Sequence, residues 1–456
     1  MTVSVLAALP AACSSNHGFS ASSGSGGSFE GISSGQASAG AQGTSGSAGV
    51  ASGSGGTSGQ PDASVQGIAG SGGGGVTDAT GGSTEGADGN VASDAAGPTD
   101  GSEGAGTTWT GTWAAAPQSC GGGGNGQTQR EIVHTSIAGT SARVRISNAF
   151  GGGPLQVSDV HLAQVTTGSS IDPTTDKTLM FNGQPNVTIA AGMFAVSDGA
   201  DFVVKALSDV AVSFFVVSSS GGTCQPNAFQ TNYSVAGNMV ASATLGGTQT
   251  NSYMYLSNLD VLNPNAEGAV VTLGASITCG FQQGAPGTNR RWPNDLAVRL
   301  VDGNRVIGVL NEGISGDGVK NAVSRFDRDV LSQPNVKWVI FSDNPINDLG
   351  SANPPTAQAE IDQIQTMMAS AHAKGVKFLC STLTPFLPAE PGRTTINTFI
   401  RSPGSGCDGI VDQDTATHNP SAPTQWLPAF NSGDSLHPNV AGLQAIADSV
   451  DLTLFK

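Results

Sequence analysis

From Asn263 to Lys456, short apolar runs alternate with helix-length periodic segments, and this rhythm limits the possible folds more than any other feature. The runs are Ala269 to Ser276, Arg305 to Leu310, Lys337 to Ser342, Val376 to Leu383 and the shorter Gly409 to Gln413. Continuous apolar runs of this length read as strands buried on both faces. Between them a helical stretch passes through Asp295 to Leu300. A second, Ala357 to Lys374, carries Ile361, Ile364, Met368 and Ala371 at helical spacing and stops at Gly375. Val440 to Leu454 reads as a closing helix. The expectation is an α/β domain over residues 263–456: a parallel sheet covered on both faces, in three α/β/α layers.

Residues 107–262 have a different rhythm. "ARVRISNAFG", "PLQVSDVHLAQV" and "DVAVSFFVVSS" alternate or run apolar, are rich in Val and Ile, and are separated by Gly, Asn and Asp turns. No helix-length segment interrupts them, so an accessory β-sandwich or jelly-roll is expected. Residues 14–106 are mostly Gly, Ser, Ala and Thr, and no Lys or Arg precedes Arg130. Such composition does not bury enough apolar surface to offset ordering entropy, and it predicts a disordered tether. Eight acidic residues in it supply half of the net charge of −16. No basic nucleic-acid footprint is visible, and no nucleic-acid partner is expected.

Residues 1–13 are apolar and small up to Cys13. This looks like the end of a bacterial lipoprotein export signal, although no Lys or Arg precedes the apolar run. Cys13 is then the expected lipidation site, the only expected link to a membrane, and the location is extracellular or cell-surface. Five cysteines remain, so at least one thiol is free. Their loop positions suggest pairing Cys120 with Cys224 and Cys380 with Cys407, leaving Cys279. No Cys/His cluster has zinc-ligand spacing; neither metal nor cofactor is expected.

In open α/β sheets, chemistry gathers beyond the C-terminal ends of the strands. Ser276 ends the first strand on a tight Gly-x-Ser turn. Asn311 to Gly318 follows the second, and Asn344 to Asp348 the third. Asp434-Ser435-Leu436-His437 precedes the last helix. Taken singly, Ser276 is more readily an N-cap than a nucleophile, the Gly-rich and Asn/Asp segments are ordinary turns, and His437 is a surface histidine. Together they hold a serine nucleophile, a base and an acid to orient the base.

Four such blocks in this order resemble the SGNH (GDSL) hydrolase superfamily, in which they carry Ser, Gly, Asn and His, with Asp three residues before His. "RWPNDLAVRL", "NEGISGDG" and "DSLHPNVAGLQAIADSV" add local similarity. "WTGTWAAAP" (Trp109 to Pro117) with "RVRISNAFG" is similar to bacterial secreted SGNH esterases with an N-terminal β domain, some associated with xylan degradation. The resemblance implies a flavodoxin-like sheet with Ser276 as nucleophile, His437 as base and Asp434 as its orienter. It implies an oxyanion hole from the N–H groups of Gly316 and Ser276 and the side chain of Asn347. Ala275, Cys279 and Pro345 depart from the family pattern, Ala275 and Cys279 each standing where an Asp is usual. The expected activity is ester hydrolysis, removing short acyl groups, acetyl first, from a polysaccharide or small-molecule ester. A broad arylesterase or lipase-like acylhydrolase is the second enzyme reading. A non-catalytic carbohydrate-binding surface lipoprotein is the third.

Overall fold

A computed structural model describes residues 108–456. The expected export segment, Cys13 and the tether lie outside the described residues.

The C-terminal part is built on five parallel strands: β1 (Gly268–Gly274), β2 (Ile307–Gly313), β3 (Val336–Phe341), β4 (Lys377–Ser381) and β5 (Gly409–Val411), in the order 2-1-3-4-5. Every residue of β1 is buried, as a strand covered on both faces requires. The helices are α1 (Ser276–Cys279), α2 (Trp292–Asp302), α3 (Val319–Phe326), α4 (Asn344–Leu349), α5 (Ala357–Ala373), α6 (Gly392–Arg401), α7 (Gln413–Thr417) and α8 (Val440–Asp448). Helix α2 packs against α8, while α3, α5 and α6 pack in a row. Thr356 caps α5 by accepting from the Ala359 N–H, and the helix turns out through a left-handed Gly375. The closing helix is shorter than its apolar pattern suggests. It ends at Asp448, and Leu452–Leu454 form a separate 3-10 turn after Asp451.

Residues 109–262 form antiparallel sheets. In the largest, Asp209–Ser218 lies between Gln127–His134 and Leu155–Thr167. This central position accounts for its long apolar run. A four-stranded sheet contains Trp109–Ala114, Leu256–Leu262, Ser141–Ser147 and Phe194–Val196. Val133, Ile146, Leu162, Val212, Phe214 and Leu259, drawn from both sheets, share one core. Disulfides join Cys120 to Cys224 and Cys380 to Cys407, and Cys279 is a buried free thiol.

The two parts meet along the open edge of β2. The Val309 N–H donates to Ser136 Oγ at 2.9 Å, and Ala115 bridges to Asn311. A β-carbon at Gly308 would run into the Gly111 carbonyl, so glycine is what allows the N-terminal strand to lie this close. An exposed strand edge is thereby covered.

Candidate active site

Strand β1 passes through Gly274 and Ala275 into α1, whose first residue is Ser276. The turn is too tight for side chains: a β-carbon at Gly274 would collide with Thr278 and Asp343. Asp343, at the end of β3, braces it. Its Oδ1 accepts from the Ala275 N–H at 3.0 Å and the Thr278 hydroxyl at 2.6 Å, and its Oδ2 from the Ile277 N–H at 2.9 Å. A carboxylate from the neighbouring strand therefore stabilises a turn that Ala275 cannot brace with its own side chain.

Ser276 is nearly buried, and its Oγ lies 2.9 Å from His437 Nε2. His437 Nδ1 lies 2.6 Å from Asp434 Oδ2. A carboxylate only accepts, so Nδ1 carries the hydrogen and Nε2 faces the serine as an acceptor. The loop that carries this pair is built from Asx turns. Asn431 Oδ1 accepts from the N–H groups of Gly433 and Ser435, and Asp434 Oδ1 from those of Leu436 and His437. Asp434 thus holds the loop backbone with one oxygen and the imidazole with the other. Partial burial opposes its ionisation, but the bonds from the His437 backbone and ring and the Leu436 N–H outweigh it and bring the carboxyl to about 2.

The loop after β2 is tied to the Ser276 turn by the Ile314 N–H, which donates to the Gly274 carbonyl at 3.1 Å. Gly316 has φ +78°, the left-handed region. Asn347 Nδ2 donates to the Asp317 carbonyl at 2.9 Å, which places the Asn347 amide beside the Gly316 loop. Among the described residues no acceptor takes the N–H of Gly316 or of Ser276. Neither Gly316 nor Asn347 is hydrogen-bonded to the Ser276 side chain. Asp348 Oδ2 accepts from the Val319 N–H and so holds the start of α3.

Two of the departures from the family pattern have a visible structural role. The third block is a helix, α4, rather than a loop, and Pro345 stands in its first turn, where its missing N–H costs nothing. Cys279 packs under α1 with Sγ 3.4 Å from the Asn227 carbonyl. Burial pushes its thiol up to about 11, so it is a neutral packing group.

Sequence reading missed Asp343, Asp317 and Arg325. The buried Arg325 donates through Nε to Asp317 Oδ2 at 2.9 Å, and through its other nitrogens to Asp329 and to the carbonyls of Glu312 and Gly274. It links the ends of β1 and β2. Only Asp343 left a sequence signal, as the acid between the third apolar run and Asn344.

A doubly wound parallel sheet in the order 2-1-3-4-5 carries a Ser–His–Asp line beyond its strand ends, a set of groups that can supply a nucleophile, a base and an acid to orient it. Residues 272–445 match the model of the GDSL-like lipase/acylhydrolase family, a range that includes Ser276, Gly316, Asn347, Asp434 and His437. The match lies within the α/β part, and the protein is a carboxylic ester hydrolase. Similar solved structures include a GDSL-like lipase from Bacteroides thetaiotaomicron, at 17% identity over 41% of this chain and 88% of that one, with a TM-score of 0.33. An α/β hydrolase from the metagenome of Lake Arreo matches at 21% identity over 40% of this chain and 93% of its own, with a TM-score of 0.33. The acetylxylan esterase Axe2 from Geobacillus stearothermophilus matches at 22% identity over 41% of this chain and 93% of its own, with a TM-score of 0.32. No curated protein sequence matches the chain.

Proposed function

We propose that the protein is an exported serine esterase that removes short acyl groups, acetyl first, from carbohydrate esters through an acyl-enzyme. The observation that carries this reading is the unbroken line from Ser276 Oγ through His437 to Asp434, at 2.9 and 2.6 Å. His437 Nε2 takes the serine proton as Oγ attacks the ester carbonyl. Asp434 remains ionised and holds the imidazole in the tautomer that leaves Nε2 free to accept. The oxyanion is received by the N–H groups of Gly316 and Ser276 and by Asn347 Nδ2, each such donor typically contributing about 3 kcal/mol to the transition state. The imidazolium then protonates the departing alcohol. Water, activated by the same histidine, releases the acid and regenerates Ser276.

Acetyl preference and a polysaccharide substrate rest on the sequence resemblance to secreted esterases with a β domain. The cell-surface location rests on Cys13 and the Gly/Ser-rich segment that follows it. The decisive experiment compares the full chain with Ser276→Ala on p-nitrophenyl acetate, then measures acetyl release from acetylated xylan and acyl release from longer-chain esters. Equal rates for the two proteins sink the mechanism, and faster turnover of octanoyl than acetyl esters sinks the acyl preference. Exchange of Cys13 for Ser is expected to move the protein from the membrane fraction to the soluble one.

A further inference from the structure

Two phenylalanines from distant parts of the chain stand in line on the flank of the catalytic histidine. Phe281, just after α1, packs on the His437 ring with centroids 4.5 Å apart and planes at 52°. Phe229, from the β region, meets Phe281 edge-on at 6.2 Å and 70°. Both are half-buried.

Phe229 is held in place deliberately. Its backbone has φ +47°, an uncommon conformation for a bulky residue, which persists only where the surroundings enforce it. Its carbonyl accepts from Gln283 Nε2 at 2.7 Å and from the Gly287 N–H at 3.0 Å. The Arg291 guanidinium donates to the preceding carbonyl, that of Ala228. Gln225 Nε2, at the start of the same loop, donates to the Gly313 carbonyl at 3.0 Å, in the block that carries Gly316. The β-region loop 225–230 is therefore fastened to both the segment after α1 and the end of β2.

The chemistry says which part of a substrate meets this pair. This step rests on the Ser–His–Asp reading above. His437 Nε2 delivers its proton to the leaving alcohol oxygen, so the alcohol portion of the ester lies against the imidazole. The carbonyl oxygen points away, toward Gly316 and Asn347. A ring packed on the imidazole therefore borders the alcohol and not the acyl group. We propose that Phe229 and Phe281 form the apolar wall of the leaving-alcohol subsite and favour esters of ring-bearing alcohols. The flat face of a six-membered ring covers aromatic surface that a short alkyl alcohol leaves wet. The β region, through Phe229, thereby takes part in substrate selection.

Cyclohexyl acetate and ethyl acetate test this on the full chain. Both form the same acetyl-enzyme and release alcohols of similar basicity, so the shape of the alcohol is what differs. Phe229→Ala is expected to lower the ratio of kcat/KM for cyclohexyl over ethyl acetate about 3- to 10-fold, mainly through KM. Phe229→Tyr is expected to keep the wild-type ratio. Phe229→Leu, which keeps apolar volume without a ring, is the second variant if the alanine chain does not fold, and its ratio is also expected to fall. A purely structural role for Phe229 lowers both rates together and leaves the ratio unchanged, which overturns the subsite. If that happens while turnover still requires Ser276, the esterase mechanism stands and only the subsite is lost. Turnover that does not require Ser276 overturns both.

Discussion

Asp343 grips the backbone on both sides of Ser276 and leaves the Ser276 N–H alone. Its two oxygens accept from Ala275 and Ile277, at 3.0 and 2.9 Å. The two amides flanking Ser276 both turn to the carboxylate, so the brace leaves the Ser276 N–H for the proposed oxyanion site. The proposed nucleophile, Ser276, is thus set by a residue that follows another strand, 67 positions later in the chain.

Removal of this brace should harm catalysis more than binding. Asp343→Ala leaves three buried donors unpaired, each costing about 1–3 kcal/mol, and lets the Ser276 turn shift. A displacement of about 1 Å is enough to cost roughly 100-fold in rate. We expect kcat to fall by about that factor with KM nearly unchanged, and the urea midpoint to drop. A variant with wild-type kcat would show that the turn holds itself.

Asp434 should act on both rate and acid stability. Asp434→Asn turns an acceptor into a group that can donate toward Nδ1, disfavouring the productive tautomer, and kcat is expected to fall about 10³- to 10⁴-fold. The carboxyl, brought to about 2, lies below its ordinary 3.8. Its stabilisation is therefore present above the ordinary value and is lost as pH falls through the folded one. Thermal melts of wild type and Asp434→Asn should converge between about pH 4 and 2. A constant gap across that window would contradict the assignment.

Glu360 predicts the opposite pH trend. It is buried on α5, and burial followed by the nearby charge of Asp348 pushes its carboxyl up to about 8 from 4.5. The folded protein keeps a proton that the unfolded chain releases. The favourable contribution is thus complete below the unfolded value and is lost as pH rises through the folded one. Glu360→Gln has no charge to bury, so its melting temperature should gain on wild type between pH 5 and 8. Parallel curves would mean the carboxyl is ionised throughout.

The junction along β2 depends on Gly308. Gly308→Ala places a β-carbon into the Gly111 carbonyl and should cost about 1–3 kcal/mol by urea unfolding. Gly246→Ala, where nothing lies within 4 Å, is the control and should be near neutral. Equal effects would mean the strand Trp109–Ala114 yields without cost.

Much of this arrangement was legible in the chain as written. The alternation after Asn263 names the β1 to β5 strands because a strand buried on both faces must be apolar throughout, and that constraint is local. Ser276, Asn347, Asp434 and His437 were readable as polar residues at breaks in that pattern and Gly316 through the family resemblance, while their catalytic roles belong to the proposal. Tertiary structure decided what joins them. Asp343 and Arg325 act by reaching across to neighbouring strand ends, and no local pattern marks a side chain whose partners lie on other elements. The third block became a helix with Pro345 in its first turn, where a fixed φ and a missing N–H are well suited. Phe229 reaches Phe281, the ring that packs on His437, through the packing of the β region on the α/β part, and that proximity is set by the whole fold.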